Sequence, residues 1–347
     1  MSYTQFDPSD FVISSDSITA PAWSSNTPTL TTFFTASGQI ASNFYLDVYN
    51  TSSLLTNAAV QYSIAYGNAI GSGSMALNNL VPGNTPSRIT YGQFRNLVYG
   101  NPTTYFNFGG LNTASIDILA ISVDRNRYKE SLMPGTFNLT LSSSVGSIQL
   151  TDNSNDVSTI TYLDCGRVFN IVSGSYGTSN NTTAPLGTST RGYTASGSYG
   201  LFLPDIATLV LNPRALALPF ASGGLNLSFY SGSSALSTAA SSSLNVLTTH
   251  RAIQSGSNFQ LLSQETISSD YVFVRIKNAE YNYSTNPSFI SGSGGLLYSN
   301  FINNPQTYIT TVGLYNTNND LLAVAKLSIP LVKDFTKEAL ITVKLDW

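Results

Sequence analysis

Residues 341–347, ITVKLDW, alternate strictly. Ile341, Val343, Leu345 and Trp347 fall on one side of an extended chain, and Thr342, Lys344 and Asp346 on the other. Successive side chains of a strand point to opposite faces, so this pattern specifies a strand with one face buried and one wet. The same period-two grammar recurs along the chain. YITTVGLYNTNNDLLAVAKLSIP predicts two strands joined by the polar turn NTNND and closed by Pro330. NFYLDVYNTSSLLTNAAVQYSIAYG predicts a second strand–turn–strand unit near the front, and SIDILAISVD and GTFNLTLSSS predict two further strands. Thr, Tyr, Phe, Val and Ile, the residues that suit a pleated surface, are abundant. The expected fold class is mainly β, with β-sandwich or barrel-like domains, a few short helices and a long irregular insertion.

Helix signals are few. TPSRITYGQFRNLVYG has Ile89, Phe94, Leu97 and Val98 near helical spacing, with Pro86 to start it and Gly100 to stop it. NPRALAL predicts one or two helical turns. STAASSSLNVLTTHRAIQSG predicts a helix with Leu244, Leu247 and Ile253 on one face.

Composition shifts in the middle of the chain. Between residues 168 and 249 only Arg191, Asp205 and Arg214 carry charge, and residues 173–199 are nearly all Ser, Gly, Thr, Asn and Tyr. This suggests a long loop or an irregular β excursion. The expected organisation is an N-terminal β domain over 1–150, a low-charge inserted domain over 151–255 and a C-terminal β domain over 256–347. The C-terminal strands are expected to pair back with the N-terminal ones.

Charge is scarce throughout. Fifteen basic and eighteen acidic residues make 10% of the 347, against about 25% in ordinary soluble domains. Polar uncharged residues take their place, which suits lasting contact with other subunits better than life as a free monomer. A net charge of −3 gives no basic footprint for nucleic acid. The N-terminus MSYTQFDPSDFV has no basic region followed by an apolar one, and no apolar run approaches membrane-spanning length. A soluble, non-secreted product is expected, with neither nucleic acid nor membrane as partner.

Residues able to carry chemistry are few. Cys165 and His250 are the sole cysteine and histidine, and no nucleophile-elbow, zinc-protease or phosphate-loop pattern surrounds them. A lone cysteine also excludes an internal disulfide framework. Paired carboxylates suffice for glycoside hydrolysis. Asp117 with Asp124, or Glu265 with Asp270, are the pairs to consider, but the odd spacing of Asp117 and Asp124 points them to opposite faces of a continuous strand. TDNSNDVS lacks the fixed spacing and closing glutamate of a calcium loop. Six N-x-S/T sequons, among them Asn138, Asn226 and Asn282, are chance features of such a composition. Twenty Tyr and eighteen Phe suit sugar stacking, but protein interfaces and cores use the same residues. The expectation is a non-enzymatic protein with no cofactor and no metal.

One stretch breaks the scarcity of charge. DRNRYKE carries Asp124, Arg125, Arg127, Lys129 and Glu130 within seven positions. A solvated turn accounts for it. An ionic contact accounts for it as well, with Arg125 and Arg127 sharing one face of a strand and forking onto carboxylates. The C-terminal KDFTKEALITVKLDW offers Lys333, Lys337, Glu338 and the terminal Trp347 as a second contact cluster, pairing with the first within the chain or on another copy.

VFVRIKNAEYNYSTNPSF (272–289) and YITTVGLYNTNNDLLAVAKLSIPLVKDFTKEALITVKLDW (308–347) resemble the C-terminal part of virion structural proteins of contractile-tailed bacteriophages, especially those infecting cyanobacteria. YSIAYGNAIGSGS, ITYGQFRNLVYG, AISVDRNRYKESLMPG and LPDIATLVLNP are similar to earlier blocks of that group. The resemblance implies a subunit of the particle, made in the host cytoplasm and placed in the tail or baseplate. Its partners would be other virion structural proteins and copies of itself, in a homo-oligomer. A head or neck decoration protein and a receptor-binding adhesin or fibre domain for host glycan are the alternatives.

Overall fold

The computed structural model describes residues 4–22, 34–35, 45–51, 55–72, 85–109, 114–180, 192–229, 240–284 and 286–346. Along the chain run β1 (Phe11–Pro21), β2 (Phe34–Thr35), β3 (Tyr45–Tyr49), β4 (Val60–Asn68), α1 (Pro86–Tyr99), β5 (Asp117–Val123), β6 (Ser131–Leu132), β7 (Asn138–Ser143) and β8 (Gly146–Asp152). Next come β9 (Thr161–Leu163), β10 (Gly166–Ser175), β11 (Thr178–Ser179), β12 (Gly200–Leu203), β13 (Thr208–Leu211), α2 (Pro213–Ala217), α3 (Ala240–Gly256) and β14 (Asn258–Gln260). The chain ends with β15 (Leu262–Ile276), α4 (Asn300–Asn303), β16 (Thr307–Tyr315), β17 (Leu321–Lys333) and β18 (Ala339–Asp346). The fold is mainly β, with a large curled antiparallel sheet, as the alternation in the sequence implies.

Contacts divide the chain into two compact units, Ile18–Glu265 and Met1–Ser17 together with Thr266–Trp347. In the larger unit the strand order is β14-β7-β8-β10-β12-β13-β5-β4-β3-β2, with β9 and β11 also paired to β10. The strands of 138–150 and of 166–211 therefore share one sheet, across the boundary the composition suggests near residue 150. The middle strands are buried on both faces. In β5, Leu119, Ile121 and Val123 enter one core cluster and Ile118 enters another. In β12, Phe202 faces the first cluster while Leu201 and Leu203 face the second. Burial on both sides explains why ILAI, LFL and LVL are continuous apolar runs with no alternation.

Helix α3 packs against β14 and β7 at one end of the order and against β4 and β3 near the other. Five strands lie between β7 and β4, so contact of both with one helix means that the sheet curls around it. The face that α3 buries carries Asn245, Val246, Thr249, His250, Ala252 and Ile253. Leu244, expected on that face, is exposed. The true face is mixed, with the Thr249 hydroxyl donating to its own helix at Asn245 O (3.0 Å), and a mixed face hides from an apolar periodicity.

Helix α1 begins and ends where Pro86 and Gly100 predict, with Thr85 as N-cap and Gly100 left-handed at φ 59°. Its buried face matches expectation at Val98, with Phe94 partly buried beside it, and differs in that Tyr91 is buried whereas Ile89 and Leu97 are exposed. Gly67 on β4 makes this packing possible, since a Cβ there would lie 2.9 Å from the Tyr91 backbone nitrogen. The helix backbone rests directly on the strand.

The smaller unit is a compact two-layer sandwich. One layer has the order β1-β15-β18, a sheet built from both ends of the chain, and the other is the β16–β17 hairpin. Val272 and Val343 from the first layer meet Val312 and Leu314 from the second, with Ile341, Leu345, Ala323 and Ala325 packed around them. The terminal alternation is thus realised as read for Ile341, Val343 and Leu345, and Trp347 lies outside the described residues. Pro330 does not close β17, which continues to Lys333. The ladder shifts between Ile309/Leu331 and Thr311/Lys326, leaving Leu327–Pro330 as extra residues on one strand. Proline has no N–H to give to a ladder, so an irregular segment accommodates it.

Candidate interaction surfaces

The charged turn at 124–130 is built from its own side chains. Asp124 caps a short 3₁₀ turn, Arg125–Arg127, by accepting from Asn126 N (2.9 Å). Arg125 and Arg127 therefore do not share the face of a strand. A 3₁₀ turn has about three residues per revolution, so positions two apart diverge. Arg125 folds back to donate to Tyr128 O (2.8 Å), its guanidinium 4.7 Å from the Tyr128 ring centroid. Arg127 donates to Val60 O (2.9 Å), where β4 begins. Lys129 stands 3.8 Å from Glu265 with its side chain 74% exposed, a pair worth at most about 1 kcal/mol. Glu130 is exposed. The cluster shapes a turn and ties it to its own unit, leaving Arg125, Lys129 and Glu130 at the surface.

The second cluster splits in two. Lys333 is fully buried, and its Nζ donates to Asn282 Oδ1 (2.7 Å), Asp334 O (2.8 Å) and Asn278 O (2.9 Å). Three N–H donors meet three oxygens, so the ammonium is satisfied inside the unit and is withdrawn from any surface contact. This corrects its assignment as an interface residue. Lys337 pairs with Asp334 at 3.3 Å, and Glu338 is exposed. Hydrogen bonds from the Thr336 side chain and backbone, then from Lys337, hold the Asp334 carboxyl below its usual range.

Asp117, Cys165 and His250 are all buried. Asp117 and Asp124 bracket β5, seven positions apart, which at about 3.3 Å per residue is roughly 23 Å. Glycosidase pairs stand about 5 to 9.5 Å apart. Asp117 is buried, its Oδ1 accepts no hydrogen bond and lies 3.9 Å from Arg214 Nε, and burial raises its carboxyl despite that arginine. Burial lifts the Cys165 thiol to about 11 and lowers His250 to about 4. In TDNSNDVS the carboxylates are taken by backbone amides. Asp152 accepts from Gly135 N and Ser154 N, and Asp156 from Ser179 N. Among the described residues there is no cluster of three or more metal-ligating side chains. The sequon residues Asn138 and Asn282 are buried.

A polar node of the larger unit escaped the sequence reading. Arg167 on β10 forks onto Asp205 through Nε (3.0 Å) and Nη2 (2.6 Å), its backbone N–H donates to the same carboxyl (2.7 Å), and Nη2 also reaches Ser131 Oγ (3.1 Å). Burial raises the Asp205 carboxyl, but the Arg167 hydrogen bonds outweigh it and the net displacement is downward. The pair joins β10 to the turn before β13 and to β6. Nothing in the spacing of residues 167 and 205 announces it.

The surface feature that sets this molecule apart is apolar. The smaller unit supplies about a third of the described residues, yet more than half of their exposed large apolar side chains. Phe11, Val12 and Ile13 on β1 are 49%, 49% and 75% exposed, and Leu322 and Val324 on β17 are 68% and 58% exposed. On the outer face of the hairpin the Tyr315 ring lies over Gly313, with Leu321 beside it. FVI and LLAV are runs of adjacent apolar residues: all three residues of FVI are exposed, and in LLAV only Ala323 packs on the core. Among the described residues the strand order also places β18 and β1 at the two edges of their sheet. Comparison with protein-family models, with curated proteins and with solved structures found no match.

Proposed function

We propose that the chain is a structural subunit of a bacteriophage virion that works through protein–protein contacts, with the tail or baseplate as its place in the particle. The observation that carries the reading is the small sandwich, whose apolar side chains crowd the surface around open strand edges. Soluble monomers rarely display contiguous apolar patches beyond a few hundred Å², and larger ones mark interaction sites. Open, apolar strand edges are likewise managed by pairing or covering. Scarce charge supports the same reading, since a surface of hydroxyls, amides and aromatic rings is buried against a neighbour with little ionic desolvation. The resemblance of the sequence blocks to virion proteins of contractile-tailed phages supplies the kind of assembly.

Gold-labelled antibody against the chain, applied to purified particles and imaged by electron microscopy, tests the placement. Label on the tail or baseplate in several copies supports the proposal. Label confined to the head or neck moves the subunit there, and particles without the chain overturn the reading.

A further inference from the structure

The sheet with the order β1-β15-β18, in which β6 also pairs with β15, has two unlike edges. At one lies β1, whose residues Phe11, Val12 and Ile13 are exposed in succession, Ile13 the most, with the Phe11 ring edge to face on Phe6 at 5.2 Å. At the other lies β18, with Leu340, Thr342, Lys344 and Asp346 facing out and Ile341, Val343 and Leu345 lining the core. The edges also differ in charge. Asp16 is the sole charged residue of β1, and Lys344 is the sole basic residue of β18. Lys344 sits 5.9 Å from the Tyr271 ring centroid and 3.1 Å from Asp346 on the wet face, and it also feels the charge of Asp16 of its own copy across the sheet. Natural edge strands are usually blunted by prolines, bulges or inward charges, and Phe11–Ile13 contain neither proline nor charge.

We propose that β1 of one copy docks along the free edge of β18 of a second copy, joining the sheets head to tail with Lys344 beside the neighbouring copy's Asp16. This rests on the assembly reading above and names the partner of that surface. Edge pairing satisfies the unpaired backbone groups of both strands, covers Phe11–Ile13 with the neighbour's Leu340 side of the sheet, and sets opposite charges at the junction. Because the joined surfaces differ, the contact is heterologous. Copies keep adding until a ring closes or a filament extends.

Sedimentation of the full chain over a wide concentration range tests the junction. The wild type is expected to sediment as a species larger than a monomer. Ile13→Lys, at a position open to solvent in the single chain, is expected to weaken association by about tenfold or more with its thermal unfolding unchanged. Lys344→Asp and Asp16→Lys are each expected to weaken it, and the two together to restore it. A wild type that stays monomeric throughout overturns the junction, as do an Ile13→Lys variant that assembles like the wild type and a double variant no better than its parents. These outcomes leave the virion reading standing if the chain is found in particles. Absence from particles removes that reading whatever the sedimentation shows.

Discussion

Phe259 on β14 and Tyr62 on β4 meet edge to face, with ring centroids 5.3 Å apart and planes at 65°. Six strands separate β14 from β4 in the order of the sheet, so this contact closes the curl from inside. Phe137 joins them, 6.2 Å from Phe259 and 5.5 Å from Phe202. Truncating Phe259 to Ala removes the ring that both ends of the sheet share. A loss of about 3–5 kcal/mol is expected, read as a lower denaturant midpoint with an unchanged slope. A loss below about 1 kcal/mol would mean that the sheet closes without it.

Two glycines on facing elements should respond with opposite signs. Gly67→Ala drives a methyl group into the Tyr91 backbone, and the rigid helix cannot step aside without losing its seat on β4. A cost of about 1–3 kcal/mol is expected. Gly92 lies within α1 and has open space where its Cβ would go. Gly92→Ala should therefore stabilise by up to about 1 kcal/mol. Thermal unfolding of both variants checks the pair, and equal responses would refute the close approach.

His250 makes stability depend on pH. Burial, aided by Arg251, lowers its folded value to about 4 from the ordinary 6.5. Between these values the unfolded chain binds the proton and the folded chain does not. Stability is therefore full above pH 6.5 and drains away as pH falls toward 4, by roughly 3 kcal/mol. Asp117 and Asp152, whose carboxyls burial raises, oppose this trend in acid. The comparison is thus wild type against His250→Gln, which cannot titrate. The stability of the wild type should fall more steeply than that of the variant between pH 7 and pH 4, and parallel curves would contradict the buried neutral imidazole.

Lys333 should behave as a core residue and Lys337 as a surface one. Replacing Lys333 by Met leaves Asn278 O, Asn282 Oδ1 and Asp334 O without their shared donor. A cost of about 3 kcal/mol is expected, with faster proteolysis in the 278–284 turn. Lys337→Ala, at an exposed pair, should cost at most about 0.5 kcal/mol. Similar costs at both positions would count against the buried ammonium.

Much of the fold was legible because alternation is a local property. Val343 and Lys344 point to opposite sides whatever lies elsewhere in the chain, and Pro86 and Gly100 mark helix ends by backbone chemistry alone. Burial was less legible where it depends on what packs across. Ile89, Leu97 and Val98 fit one apolar helix face, but only Val98 is buried, and Tyr91 turns inward where Gly67 gives the helix backbone a seat. Lys333 looked like surface because lysine usually is. Its three oxygen partners come from residues 278, 282 and 334, and no local pattern joins them. The two arginines of the charged turn were misplaced for a related reason: Asp124, acting as a cap, bends the chain out of the strand just before them.

The account rests on the smaller unit being a docking surface, and imaging of purified virions at residue resolution tests this most directly. It predicts that Ile13, Leu322 and Val324 are covered by neighbouring chains in the particle. Finding those side chains facing solvent in every copy would contradict it.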